Sequence, residues 1–134
     1  MNEAEYKAQL AGYWLEKAYE SVASAESETE ALRFGFAVNR LYYAVFYAIT
    51  AILALEGKKL TKHAAVRAAL HRDYIRTSKI DQSLGRLYDE LFHARQLGDY
   101  MPMVEFDEAV VRQQMEEARR FIARCKAYVT NLTQ

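Results

Sequence analysis

The chain has 134 residues, of which 51% are hydrophobic and 27% charged, and its formal net charge is zero. This length allows a single domain, residues 1–134, and the composition argues against intrinsic disorder. A zero net charge excludes a global field that draws the protein to nucleic acid or membrane, and one cysteine excludes a disulfide framework. The N-terminus is acidic where a signal peptide is positively charged, so we expect a cytoplasmic protein.

The spacing of apolar residues predicts five helices and no strands. Short connections between long amphipathic helices indicate an all-α, antiparallel up-and-down bundle of four or five helices. The first helix is predicted over about residues 3–26, with Asn2 and Glu5 at capping-box spacing. Its apolar face is predicted to begin with Tyr6, Leu10, Tyr13 and Trp14.

The second helix is the most apolar part of the sequence. A second capping-box spacing, from Ser27 to Glu30, predicts that this helix starts there and runs to Glu56, with Gly57 as a left-handed terminator. Its apolar run, Leu41–Leu55, is shorter than the ~20 residues that a bilayer span needs. We therefore expect a central core helix and no membrane insertion.

Three further helices follow. One spans about residues 62–76, the next opens at Ser78 and Asp81 and ends at Gly98, and the last begins near Asp107 and reaches the C-terminus. The predicted core positions are Leu84, Leu87, Tyr88, Leu91 and Phe92 in the fourth helix and Val111, Met115, Ala118, Ile122, Cys125, Val129 and Leu132 in the fifth.

Charge is balanced in total but segregated along the chain. Residues 1–30 carry seven acidic and two basic side chains, whereas residues 58–79 carry seven basic side chains and one acidic one. One interpretation is that the basic segment packs near the acidic first helix; the other is that it meets phosphates. His63 and His71 lie in this segment without acids at metal-ligand spacing, so we expect surface histidines and no metal site.

Arg95 occupies a position where the helical repeat predicts an apolar residue. The stripe through positions 84, 88 and 91 continues to 95, and a desolvated guanidinium needs a carboxylate, carbonyls or a bound phosphate. Asp99 follows four residues later and Tyr100 five. Two hypotheses remain open: an Arg95–Asp99 pair that staples the helix end, or a phosphate-binding arginine at the mouth of an interhelical cleft.

Arg40 raises the same question in the second helix. It could be buried beside Tyr43 and paired with an acid from another helix, or it could line one cleft together with Arg95. The hydroxyls of Tyr42, Tyr43 and Tyr47 also need partners when buried, which indicates that part of this helix faces a groove or a second subunit.

These residues resemble the HEPN superfamily of small α-helical proteins over about residues 5–130. The resemblance rests on the string Arg40–Tyr47 in the second helix, on Gly57, on the pair Lys62 and His63, and on the stretch Arg95–Tyr100 at the end of a late helix. It implies a helical bundle, usually a homodimer, of RNA or nucleotide biology. Many relatives are metal-independent endoribonucleases, often toxins paired with a minimal nucleotidyltransferase, and no cofactor is implied.

The catalytic signature of those relatives is R-x(4–6)-H, in which the arginine holds the scissile phosphate and the histidine moves a proton. Arg95 matches the arginine, but Tyr100, Met101 and Pro102 occupy the permitted histidine positions. Whether the chain is an enzyme is therefore left open, the alternative being a non-catalytic homodimeric module that binds a nucleotide or a protein. The candidate residues are Arg95, Tyr100 and Asp99 for catalysis and Arg40, Tyr43, Tyr47, Lys62 and His63 for RNA or nucleotide binding.

Overall fold

A computed structural model describes residues 1–134 and contains five α-helices and no strand, which confirms the all-α bundle. The helices are α1 (Glu3–Glu30), α2 (Phe34–Leu55), α3 (His63–Ala69), α4 (Gln82–Tyr100) and α5 (Glu108–Thr133). A π-helical segment, Leu70–Ile75, continues α3 and completes the predicted third helix.

The apolar helix α2 lies at the centre of the bundle. It packs against α1, α3, α4 and α5, and most of its side chains belong to a single core of 34 buried residues. By length and composition alone α2 could cross a membrane, but 61% of its most apolar stretch is buried inside the fold. That burial is what the core helix of a bundle shows, in agreement with the prediction.

The boundary between the first two helices differs from the prediction. Ser27 and Glu30 do not begin α2; they lie in the last turns of α1, which ends at Glu30. The chain then reverses through Leu32, whose φ of 62° is left-handed, and α2 begins at Phe34. No glycine or proline marks this turn, and Thr29 is buried with its hydroxyl bonded to the Ala25 carbonyl, so the helix continues through the predicted cap.

The face that α1 turns to the core was also predicted incorrectly. Tyr6 and Tyr13 are exposed and Trp14 is half-buried. The buried face consists of Ala11, Leu15, Ala18, Val22 and Ala25. Small side chains on this face let the backbones of α1 and α2 approach closely, and the aromatic residues are left at the edge.

Other helix ends follow the sequence more closely. The Glu5 amide donates to Asn2 Oδ1 over 2.8 Å, which confirms Asn2 as the N-cap, while the Glu5 carboxylate accepts from the Asn2 side-chain amide and not from its backbone. Gly57 has the φ of +74° expected of a left-handed terminator. Gly98, by contrast, does not end α4, which continues to Tyr100. A Cβ at Gly98 would lie 3.3 Å from the Phe106 ring, so glycine here accommodates the returning chain. The α5 seam is buried as predicted except for Leu132, which is exposed.

Candidate functional site

The Arg95 side chain is nearly buried, although its hydrogen-bonding capacity is largely unused. Its side chain is 12% exposed, and its Nη1 reaches Asp99 Oδ2 only at 3.4 Å. Nε is buried without a partner, and Nη2 makes no hydrogen bond within the chain. The guanidinium is held mainly by aromatic faces, with Cζ 4.7 Å from the ring centre of Tyr42 and 5.8 Å from that of Tyr43. The Arg95–Asp99 pair exists, but it leaves donors for an anion.

His63, at the start of α3, lies against the same aromatic rings. Its Nδ1 is 2.7 Å from the Tyr42 hydroxyl, and its ring stacks on Phe46 at 4.5 Å between centroids. Burial, and secondarily the charge of Arg95, lower the pKa of His63. Burial also raises the pKa of Tyr42 to about 12, so this residue remains a phenol. We call the group formed by Arg95, Asp99, Tyr42, Tyr43 and His63 the Arg95 cluster.

A cleft of about 480 Å³ adjoins the cluster at Asp99. It lies between the N-terminal half of α2 and the C-terminal end of α4, and the loop before α5 closes one side. Its polar lining includes Arg33, Asn39, Arg40 and Asp99. We call it the α2–α4 cleft.

Arg40 lies in this cleft without an acidic partner. Its Nε donates to Ser24 Oγ over 3.2 Å and its Nη1 to Asn39 Oδ1 over 2.7 Å, while Ser21 Oγ donates to its carbonyl over 2.7 Å. The hypothesis of a pair with an acid from another helix is therefore wrong. The other hypothesis, that Arg40 and Arg95 line one cleft, is met only indirectly: Arg40 lines the cleft with Asp99, the partner of Arg95, whereas Arg95 itself is not part of the lining.

Tyr43 and Tyr47 form the edge of an aromatic row that leads away from the cluster. Both are half-buried, their ring centres are 5.8 Å apart, and Tyr47 stacks on Trp14 at 5.6 Å. Lys62 is exposed and makes no ion pair. The predicted binding residues on α2 and at the start of α3 thus border one face.

The Tyr100 side chain makes no contact with the Arg95 guanidinium, beside which it was predicted to act. It is 76% exposed at the last turn of α4 and makes no hydrogen bond, and the Arg95 guanidinium stacks on other rings. Its assignment as a catalytic residue remains a prediction that the geometry does not favour. Asp99 does meet Arg95, as the spacing predicted.

The start of the basic segment 58–79 lies near α1, as one of the two interpretations expected, because Lys58 and Lys59 line one cavity with Glu3 of that helix, although no ion pair joins them. Arg67 and His71 both contact Asp89 of α4, at 2.7 and 2.9 Å. Burial opposes ionisation of Asp89, but these bonds still hold its pKa below the ordinary value. Within the segment, Lys58 contacts Asp73. The prediction of surface histidines is wrong for His63 and His71, which are half-buried and hydrogen-bonded, because each reaches a polar group on another helix.

Sequence reasoning missed Tyr42 as a site residue. It is completely buried, and its ring contacts both the guanidinium of Arg95 and the imidazole of His63. The signal was its central position in the tyrosine-rich string of α2, but the pattern could not show which helices cross there. No group of three or more metal-ligating side chains is close enough to hold a metal ion.

The chain is a small all-α bundle protein with an arginine stacked on tyrosines at the end of a late helix. The sequence matches the HEPN domain family over residues 11–128, and the chain belongs to this family. It is 35% identical over 132 residues, 98% of each chain, to a UPF0332 protein of Thermotoga maritima. Two proteins of Methanocaldococcus jannaschii named "putative toxin" are each 28% identical, covering 95% and 84% of this chain and 86% and 83% of their own lengths.

The lowered pKa of His63 makes a prediction about acid stability. Because the unfolded chain binds this proton more readily than the folded one, stability should fall as the pH drops below about 6.5. A His63→Gln variant should lose part of this dependence, measured as melting temperature against pH. The exposed His93 provides the control, His93→Gln, which should keep the wild-type slope. An unchanged slope in His63→Gln would contradict the burial of a neutral imidazole.

Proposed function

We propose that this chain is a toxin-like HEPN protein that acts on RNA in the cytoplasm, with the Arg95 cluster and the α2–α4 cleft as its phosphate-binding site. The names of the two Methanocaldococcus relatives support the toxin-like part of this proposal. The site supports the RNA part, since Arg95 and Arg40 offer fork-shaped donors and Tyr43 and Tyr47 offer half-buried aromatic faces.

The observation that carries the proposal is the incompletely paired guanidinium of Arg95. Structural arginines that are buried this deeply ordinarily use their donors, because each unsatisfied one costs free energy. In Arg95, Nε is buried without a partner, Nη1 has only a long bond of 3.4 Å to Asp99, and Nη2 makes no hydrogen bond within the chain. A phosphate oxygen at the Nη nitrogens supplies an acceptor for the free Nη2 and a negative charge beside the guanidinium.

The proposal includes a homodimer and a small nucleotidyltransferase as partners. Exposed apolar side chains surround the end of α4 and the mouth of the cleft, which supports a second protein surface there. They are Phe36, Leu97, Tyr100, Met101 and Met103. A second copy seated on this surface would bring two Arg95 clusters near each other. The nucleotidyltransferase rests on the family resemblance, and co-purification with the product of a neighbouring reading frame tests it.

Arg95→Ala is expected to weaken binding of a fluorescein-labelled single-stranded RNA by about tenfold, or about 1.4 kcal/mol. The loss of one phosphate contact should also reduce the slope of log K against log salt by about 0.7. Fluorescence anisotropy over a salt series measures both quantities, and a melting curve shows whether the fold is retained.

Arg86→Ala is the matched control for this experiment. Arg86 lies on the same helix, is exposed and forms no ion pair, so its replacement removes the same charge without touching the cluster. RNA affinity should change less than twofold. Equal losses in the two variants, or a large drop in the melting temperature of Arg95→Ala with binding unchanged, would favour the helix-end staple over phosphate binding.

A second candidate is a non-catalytic binding module. It is favoured by the exposure of Tyr100 and by the lack of a histidine at positions 100–102. Such a module binds RNA or a nucleotide through Arg95 without cleaving RNA. Incubation of labelled RNA in excess chelator distinguishes the two functions, because the family's nuclease chemistry leaves a cyclic phosphate and the module leaves intact RNA.

A further inference from the structure

The cavity that Lys58 and Lys59 line together with Glu3 lies at the other end of α2 from the α2–α4 cleft. Its volume is about 400 Å³, and three elements enclose it: α1, the C-terminal part of α2 and the segment 57–61 that follows α2. No residue of the Arg95 cluster or of the α2–α4 cleft lines it. We call it the α1–α2 cavity.

The lining of the α1–α2 cavity is largely apolar. The apolar lining residues are Tyr6, Leu10 and Trp14 of α1, Leu53 and Ala54 of α2, and Leu60 of the segment after α2. Ligand pockets are concave, mostly apolar and about 300–1,000 Å³ in volume, with a few polar groups that orient the ligand. The α1–α2 cavity has this composition and this size, so it fits the apolar body of one small molecule.

The side chains that α1 contributes to this cavity explain an unusual feature of that helix. Tyr6, Leu10 and Trp14 form a stripe at helical spacing that predicts a core face, but α1 packs into the bundle through a different face. Tyr6 is 57% exposed and Trp14 is half-buried. An apolar stripe that the core does not use, and that faces a concave space, provides surface for a ligand that displaces water from it.

The charges at the α1–α2 cavity favour a negatively charged ligand group. Three lysines and one glutamate line it. Lys7 is paired with Glu3 at 2.9 Å, and Lys58 is paired with Asp73 at 3.3 Å. Lys59 is exposed and makes no ion pair; its charge adds only to the larger effect of Lys7, which lowers the pKa of Glu3. One ammonium group at the rim is therefore free to meet an anion.

We propose that the α1–α2 cavity binds a free amphipathic carboxylate with a medium-length aliphatic chain. The chain lies against Trp14 and Leu10, and the carboxylate meets the ammonium group of Lys59. Burial of the chain provides most of the affinity, about fourfold for each methylene group. The charge of Lys59 selects an acid over the corresponding alcohol. This site is separate from the Arg95 cluster and does not depend on RNA binding.

The test uses the fluorescence of Trp14, which is the only tryptophan of the chain and lines the cavity. Titration with octanoate should shift the emission to shorter wavelength and reach saturation, because the bound chain excludes water from the indole. Hexanoate, which is two methylene groups shorter, should bind about tenfold more weakly. Octanol should bind more weakly than octanoate, and only octanoate should lose affinity as the salt concentration rises.

Two substitutions test the two parts of the site. Lys59→Gln should weaken octanoate binding about threefold and leave octanol binding unchanged. Lys79→Gln is its matched control, because Lys79 is an exposed lysine of the same basic segment that lies outside the cavity and makes no ion pair. Ala54→Phe places a ring in the cavity and should abolish binding of both ligands, while a melting curve shows that the fold is retained.

A Trp14 emission spectrum that octanoate leaves unchanged would overturn the proposal. So would octanol that binds as tightly as octanoate, with no effect of Lys59→Gln. If a second copy of the chain occupied the cavity instead, the emission would change on dilution and Ala54→Phe would dissociate a dimer in sedimentation velocity. If membrane lipids were the source of the ligand, the protein would sediment with anionic phospholipid vesicles. The RNA site is judged separately, because Arg95→Ala should bind octanoate as the wild type does.

Discussion

Replacing Tyr42 with alanine should lower the free energy of unfolding by about 4 kcal/mol, among the larger losses expected from a single substitution in this chain. The side chain is completely buried, and its ring packs edge-on or tilted against Phe46, Tyr88 and Phe92. Truncation removes these contacts and leaves a cavity where three helices meet. It also removes the aromatic face under Arg95, whose guanidinium would then be buried without support.

Tyr42→Phe separates the ring from the hydroxyl. Phenylalanine keeps the packing and the face under Arg95 but removes the partner of His63 Nδ1, so the expected loss is about 1 kcal/mol. Urea denaturation of the wild type and both variants gives the two values. If the phenylalanine variant were as unstable as the alanine variant, the hydrogen bond rather than the ring would hold the cluster together.

Tyr42 matters for both stability and function because this one side chain supports both Arg95 and the neutral His63. Arg95 uses its face and His63 uses its hydroxyl, which fixes two groups from α4 and α3 relative to α2. A site built on helices in this way keeps its geometry without a ligand, which lowers the entropy that binding must overcome.

The helices could be predicted from the sequence because their apolar stripes are long and regular. The α5 seam, buried almost throughout, shows how reliable such periodicity is. The helix boundaries were harder to predict from the sequence. The turn after α1 contains no glycine or proline, and Leu32 adopts a left-handed conformation that its residue type does not predict. The wrong α1 face has a similar cause, since alanines carry a weak hydrophobic signal compared with Tyr6 and Tyr13.

The site could be predicted only in part. The break in the α4 stripe identified Arg95, and helical spacing identified its contact with Asp99. The contact between Tyr42 and His63 joins residues 21 positions apart and depends on how α3 crosses α2, which periodicity along one helix cannot show. Periodicity finds which residue faces inward; tertiary packing decides what it meets there.

The alanine face of α1 leads to the second large effect, from Ala18→Leu. Ala18 is completely buried in the interface between α1 and α2, where α2 also buries Ala44 and Ala48 completely. A leucine here has no space, and forcing the helices apart should cost about 2 kcal/mol of the free energy of unfolding. Ala23→Leu is the matched control, because Ala23 lies on the exposed side of the same helix and should change stability by less than about 0.5 kcal/mol.

Ala18→Leu should also change the position of Arg40 in the α2–α4 cleft. Ser21 and Ser24 lie within two turns of Ala18 and hold the backbone and side chain of Arg40, so a wider spacing between α1 and α2 lengthens both bonds. RNA affinity should therefore fall in Ala18→Leu and stay constant in Ala23→Leu, measured by anisotropy at a temperature where both remain folded. A destabilised Ala18→Leu that binds RNA with wild-type affinity would show that Arg40 is not part of the binding surface, because its position would have changed without consequence.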